Sequence, residues 1–175
     1  SCMNLVDIWR RFAAIPSPAI LPMPRPTQTL SAVAIQPCSA DPYRSPDPGF
    51  FVALLTALQN THRNLEVIVL GTSAEQAPLR SLWNSSKVSF RPDLSMHDLA
   101  QVLKQVDWLL TPDTGPMHLA ALLHTPVLAV FVSRADPILT GPYLAQSLII
   151  HPGLRCAPCL DPALCHRQYE CKKLP

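Results

Sequence analysis

An apolar run that stops at a proline-bearing turn and restarts as a helix constrains this chain more than any other stretch. Trp108, Leu109 and Leu110 read as the end of a buried strand, the run breaks at Thr111-Pro112, and a helix begins at Pro116. Proline is favoured at the first helical position, and Asp113 and Thr114 are good capping residues. Gly115 marks the junction, where a side chain would block close approach to the backbone. Strand, short turn and helix N-terminus together make an anion site from free amides and the helix dipole. In an open parallel sheet this corner lies at the carboxyl end of a strand, where ligands bind. The same corner also occurs as a capped junction without a ligand.

The rest of the chain repeats the strand-to-helix alternation. Short apolar runs at Ser31 to Ile35, Leu65 to Leu70, Val88 to Phe90, Asp107 to Leu110, Pro126 to Val132 and Ser147 to Ile150 predict strands, of which Leu65 to Leu70, Asp107 to Leu110 and Pro126 to Val132 read as buried. Between them, Phe50 to Leu58 is apolar nearly all round and predicts a well-covered helix. Ser73 to Trp83 predicts another, with Pro78 tolerated only in its first turn. Ser95 and Asp98 have capping-box spacing at the start of a third helix, whose apolar face is Met96, Leu99, Ala100, Leu103 and Val106. Pro116 to Leu123 is the helix of the turn itself, and Ser133 to Tyr143 reads as a loop. The expected fold is α/β, a Rossmann-like parallel sheet with right-handed crossovers and helices on both faces.

Three parts follow: residues 1–30, residues 31–152 and residues 153–175. The first holds a short amphipathic helix (Leu5, Ile8, Trp9, Phe12) and a proline-rich stretch, Ile15 to Pro26, that reads as an extended strap. The second is the sheet domain. The third concentrates four of the six cysteines, Cys156, Cys159, Cys165 and Cys171. Hydrophobic residues make up 48% and charged residues 15% of the sequence, which suits a well-covered sheet and argues against general disorder. A net charge of +2 is too small for a nucleic-acid footprint. No apolar run reaches the roughly 18–20 residues of a membrane span.

Asp113-Thr114-Gly115-Pro116-Met117-His118-Leu119-Ala120-Ala121 resembles the nucleotide-sugar signature of glycosyltransferase family 9, the ADP-heptose:lipopolysaccharide heptosyltransferases. The resemblance runs from Val33 onward and covers the carboxyl-terminal half of such an enzyme. It implies one half of a GT-B type glycosyltransferase, with residues 1–30 as inter-domain helix and strap. Asp113, Thr114, Gly115 and His118 then surround the donor. Phosphate and carboxylate repel, so Asp113 is expected to cap or orient the turn rather than touch the ligand. Arg44 stands nearest to the family's phosphate-binding lysine, but Cys38 replaces a glycine and the family's Trp-Pro pair is missing. An ordinary surface arginine fits that position equally. Glu75 aligns with a glutamate that holds the ribose hydroxyls, although solvent-facing glutamates near helix starts are common. Leu94, in Arg91-Pro92-Asp93-Leu94-Ser95, offers an apolar wall beside adenine, and the Asp136 to Tyr143 loop is expected to close over the donor.

The implied reaction transfers heptose from ADP-heptose to a lipopolysaccharide inner-core or protein acceptor, at a cytoplasmic or inner-membrane-peripheral location. No catalytic metal is expected. The catalytic base would come from an amino-terminal domain outside this sequence, and without it the chain is expected to bind donor but catalyse poorly. Four clustered thiols can enclose structural zinc or iron, with His166 able to replace one ligand; free thiols and disulfides are the alternatives. The resemblance favours metal, since an iron-binding branch uses cysteines in its own carboxyl-terminal region. The rival reading is a non-catalytic nucleotide- or metal-binding module.

Overall fold

The structure, a computed structural model, describes residues 4–14, 29–83, 86–132, 134–143 and 145–174. Six strands form one sheet: β1 (Ala32–Ile35), β2 (Glu66–Val69), β3 (Val88–Phe90), β4 (Trp108–Pro112), β5 (Val127–Val130) and β6 (Ser147–Ile150). Their order is β3-β2-β1-β4-β5-β6, and every neighbouring pair is parallel. The chain winds outward from β1 to β3, returns, and winds out the other way from β4 to β6. The reversal falls between β1 and β4, which puts a crevice at their carboxyl ends.

Alternation along each strand divides the interior. Val33, Ile35, Val67, Val69, Leu110 and Val130 face one side, under helix α2 (Pro48–Thr61). Ala34, Leu109, Val127 and Ala129 face the other, under α4 (Met96–Gln105) and α5 (Gly115–Leu122). Both faces are apolar because a parallel sheet is covered on both sides. α2 is less well covered than its composition suggests. Phe51 and Leu55 are its buried residues, whereas Ala53 and Ala57 on the far side are exposed. Leu54 and Leu58 border an apolar groove that runs past Trp108 and Leu128 to Leu148.

Three boundaries differ from the sequence expectation, each for a backbone reason. The helix expected from Ser73 to Trp83 ends early: α3 spans Ser73–Gln76 and gives way to a 3-10 turn at Ala77–Leu79. Pro78 is beyond the first turn, where it lacks a needed N–H and crowds the carbonyl four residues back. β4 does not break at Thr111-Pro112; Pro112 pairs with Val130 as its last residue. β1 pairs with β4 only as far as Leu110, so the N–H that proline lacks is not missed on that side. The segment expected as a loop contains a short helix, α6 (Pro137–Thr140), whose cap Asp136 accepts from the Ile138 N–H at 2.8 Å.

The amphipathic helix at the start is present as α1 (Leu5–Phe12), and the proline-rich stretch from Ile15 to Pro26 falls outside the described residues. α1 is held by Tyr143, whose hydroxyl donates to Asp7 Oδ1 at 2.6 Å and accepts from Arg10 Nη1 at 2.6 Å. Past β6 the chain turns back through 3-10 turns at Pro162–Leu164 and Glu170–Lys172, reaching the loop after β1.

Phe51 is fully buried between α2 and the sheet. Phe51→Ala is expected to cost about 3–5 kcal/mol of stability, read from the shift of the denaturant midpoint at unchanged slope.

Candidate functional site

The loops that follow β1, β2, β3 and β4 all line one cavity of about 600 Å³. That volume lies within the roughly 300–1,000 Å³ of small-molecule sites. It occupies the crevice made by the reversal of strand order.

The β4 loop supplies the floor. Thr114 is the N-cap residue of α5, but its side chain makes no capping hydrogen bond. Its hydroxyl pairs instead with Thr111 Oγ1 at 2.8 Å, and Thr111 donates to the Pro112 carbonyl at 2.9 Å. With Thr111's proton committed there, Thr114 donates to Thr111. The donors left for an anion are therefore backbone amides, those of Thr114 and Gly115; Pro116 has none, and the Met117 N–H closes on Thr114 O at 3.1 Å. Gly115 needs no special backbone angle. A Cβ built on it meets nothing within 4 Å, so it would project into open space.

Asp113 is 4% exposed and does not act as a helix cap. Its carboxylate accepts from Arg44 Nη1 at 3.0 Å and lies 3.9 Å from His118 Nε2. The acid therefore holds the Arg44 guanidinium at the cavity wall, with His118 beside it. Burial pushes its carboxyl above the ordinary range, and the charges of Arg44 and His118 pull it part of the way back. Arg44 ends the 3-10 turn Pro42–Arg44, capped by Asp41, whose Oδ1 accepts from the Tyr43 N–H at 2.9 Å. Arg44 Nε stands 3.6 Å from Asp41 Oδ2, beyond hydrogen-bond reach, and has no hydrogen-bond partner. A guanidinium carries five donors in a planar fork, so the bond to Asp113 leaves others for a ligand. His118 is half-exposed in the first turn of α5 and also lines the cavity.

Glu75 lines the opposite wall, but one oxygen is engaged. It closes a capping box with Thr72: Glu75 Oε2 accepts from the Thr72 N–H at 2.7 Å and the Thr72 hydroxyl at 3.0 Å. Oε1 lies outside that box. Leu94 is half-buried and joins Leu99 as an apolar patch lining the cavity. Asp93 holds this loop at φ 52°, accepting from the Ser73 N–H at 3.2 Å and from the Ser73 hydroxyl.

All seven residues expected at the donor (Asp113, Thr114, Gly115, His118, Arg44, Glu75 and Leu94) line this one cavity. The Asp136 to Tyr143 loop does not contribute to the lining; Tyr143 turns toward α1 instead. Sequence reasoning missed Gln36, Thr72 and Asp93, for which only loop position was available as a signal. Gly71 follows β2 in the cavity wall. At φ 118°, a Cβ there would meet Glu75 Oε2 at 2.9 Å and Gln36 Nε2 at 3.3 Å, so glycine lets these two side chains approach. Cys38 also lines the cavity; burial, and then the charge of Glu75, pushes its thiol up and keeps it protonated.

The four clustered cysteines line a second, smaller cavity of about 30 Å³, together with Tyr43, Arg134, Tyr169 and Lys172. None of the four is in a disulfide. Cys165 Sγ accepts from the Tyr169 N–H at 3.4 Å. Among the described residues, no three His, Cys, Asp or Glu side chains are arranged to hold a metal ion. His166 is exposed and not part of this lining. Among the described residues, no helix is long and apolar enough to cross a membrane.

The raised Asp113 carboxyl gives a signed pH dependence. Between about 3.9, the unfolded value, and its higher folded value, the native state binds more protons, so this group's contribution to stability falls as pH rises. Chemical denaturation at stepped pH from about 3 to 6 should show the wild-type advantage over Asp113→Asn shrinking upward through that window. A difference that grows with pH would mean that Arg44 and His118 outweigh burial.

The family model "Glycosyltransferase family 9 (heptosyltransferase)" matches residues 26–169. Lipopolysaccharide heptosyltransferase 1 of Pseudomonas aeruginosa is 34% identical over 79 residues, which are 45% of this chain and 22% of that protein. Among solved structures, E. coli heptosyltransferase WaaC with ADP is similar at a TM-score of 0.62 and 21% identity, over 71% of this chain and 38% of that one. The iron-containing dodecameric glycosyltransferase TibC from enterotoxigenic E. coli gives a TM-score of 0.57 at 17% identity, over 89% and 44%. TibC is also solved in complex with ADP-D-β-D-heptose. The matched regions thus span less than half the length of these relatives. The α/β sheet is similar to that of GT-B heptosyltransferases, and the chain belongs to glycosyltransferase family 9.

Proposed function

We propose that the 600 Å³ cavity binds the nucleotide-sugar donor, ADP-heptose, as the donor half of a heptosyltransferase acting on a lipopolysaccharide inner-core or protein acceptor. The observation that carries this reading is the meeting of Arg44, Asp113 and His118 with the open end of α5 in that cavity. The diphosphate lies against the Thr114 and Gly115 amides, with Arg44 toward the distal phosphate. Glu75 Oε1 accepts from the ribose hydroxyls, while Leu94 and Leu99 face the adenine. In the reaction the bond from the anomeric carbon to the diphosphate oxygen breaks, and ADP leaves with the electron pair. The acceptor hydroxyl oxygen bonds to that carbon, and its proton passes to a base that we assign to a second domain. Negative charge grows on the distal phosphate as the bond breaks, so Arg44 and the helix end stabilise the transition state more than the ground state. The membrane-peripheral, cytoplasmic location expected from the sequence belongs to this reading.

The same reading extends to the second cavity. Four soft thiols suit zinc or iron, and Cys156, Cys159, Cys165 and Cys171 border one space without disulfides. We propose that they close on a structural metal, which requires the segment to rearrange, since among the described residues no three of them converge as ligands as they stand. TibC, which is iron-containing, resembles a larger share of this chain than WaaC does. When bound, the metal supplies ordering free energy to a segment with little apolar packing of its own.

Three outcomes test these assignments. Gly115→Val should abolish ADP binding in calorimetric titration while leaving the fold intact, because the added side chain enters the cavity rather than the protein. Arg44→Ala should weaken ADP by about 1.5–3 kcal/mol and barely change AMP. Elemental analysis of protein purified without added metal should give about one zinc or iron per chain. Four cysteines alkylated without denaturant, and no metal, would make them free thiols.

A further inference from the structure

The turn that carries Arg44 is held by a part of the chain remote from it in sequence. Locally, Asp41 caps the turn and Ser45 Oγ accepts from the Ser39 N–H at 2.8 Å. Further contacts to it come from the cysteine-rich segment and from Arg134. Lys172 Nζ donates to the Pro42 carbonyl at 2.7 Å and stands 5.6 Å from the Tyr43 ring and 5.4 Å from the Tyr169 ring. The two rings are themselves 5.9 Å apart. The Asp47 N–H donates to the Lys172 carbonyl at 3.0 Å. On the other flank, Arg134 Nη1 donates to the Leu160 carbonyl at 2.9 Å, while its Nε lies 3.7 Å from Asp41 Oδ2.

These contacts grip the turn at Asp41, Pro42, Tyr43 and Asp47, on either side of Arg44. Among the described residues, the one polar contact that Arg44 makes across the cavity is its bond to Asp113. A guanidinium at the end of a flexible stem must be placed within a fraction of an ångström to meet a phosphate, so the backbone beneath it has to be fixed.

We propose that Lys172, Tyr169 and Arg134 are positioning residues for the nucleotide's distal phosphate, and that the carboxyl-terminal segment acts on donor affinity through the Arg44 turn. This rests on the reading of Arg44 as a phosphate ligand. Coupling between two sites is reciprocal, so a nucleotide that engages Arg44 must also tighten the segment beneath the turn.

The test uses the full chain, with ADP and AMP as probes. Lys172→Met keeps the stem and removes the ammonium. It should weaken ADP by about fivefold and AMP by less than about twofold, with the thermal midpoint little changed. Lys172→Arg should restore ADP binding, since a guanidinium can also donate to the Pro42 carbonyl and lie over both rings. In the wild type, saturating ADP should slow amide hydrogen exchange across residues 165–172, and Lys172→Met should lose that protection. If Lys172→Met binds ADP as the wild type does while Arg44→Ala loses it, the phosphate contact stands and the positioning role falls. Equal weakening of ADP and AMP by Lys172→Met also overturns it, since the effect is then not carried by Arg44. If Arg44→Ala binds ADP unchanged, the reading of Arg44 fails and the positioning role fails with it.

Discussion

A buried carboxylate beside an open helix end would repel the anion that the helix end attracts. Asp113 avoids this because Arg44 and His118 stand against it, one on the loop after β1 and the other on α5. The ion cluster joins the two loops that flank the reversal of strand order. It keeps the guanidinium facing the cavity before any ligand arrives. Removing water around these groups strengthens the attraction between them and raises the cost of leaving any one unpaired. The cavity's polarity is therefore set by a balance within the protein.

That balance depends on the sheet. β1 and β4 are neighbours, so Gln36 and Asp113 emerge side by side, and the Gln36 N–H donates to the Leu110 carbonyl at 2.9 Å. The two apolar faces hold the strands rigid, while the loops between Ile35 and Pro48 and after Pro112 carry the chemistry. The loops after β2 and β3 are tied together by Ser73 and Asp93, which closes the apolar end of the cavity. One end thus offers amides and cations, and the other offers leucines. A ligand with a charged end and a flat apolar end matches this polarity.

Much of this was legible in the residues. The apolar runs marked every strand, most plainly β1, β4 and β5, which the sheet buries on both faces. The turn at Asp113-Thr114-Gly115 stood out because proline and glycine fix local geometry. What escaped notice was decided by neighbours in space. Thr114 has the composition of a cap, yet Thr111 competes for its hydroxyl. Pro112 has the composition of a strand breaker, yet it lies past the end of its neighbour β1. Asp113 was expected to cap or orient the turn, and only tertiary structure brings its carboxylate against Arg44 and His118. The pairing of Tyr43 with Tyr169 has no local signature at all.

The outer edge of the sheet bears on how this protein behaves in the tube. β6 pairs with β5 on one side, and at the other it ends the sheet with Leu148 and Ile149 exposed. Among the described residues no strand pairs with this edge, which sits beside the apolar groove under Leu148. A strand edge of this kind is a template for another extended chain, and neither proline nor charge interrupts it from Ser147 to Ile150. Protein concentration therefore enters any solution measurement on the isolated chain as a variable in its own right, because edge-to-edge association draws on the same sheet that holds the cavity together.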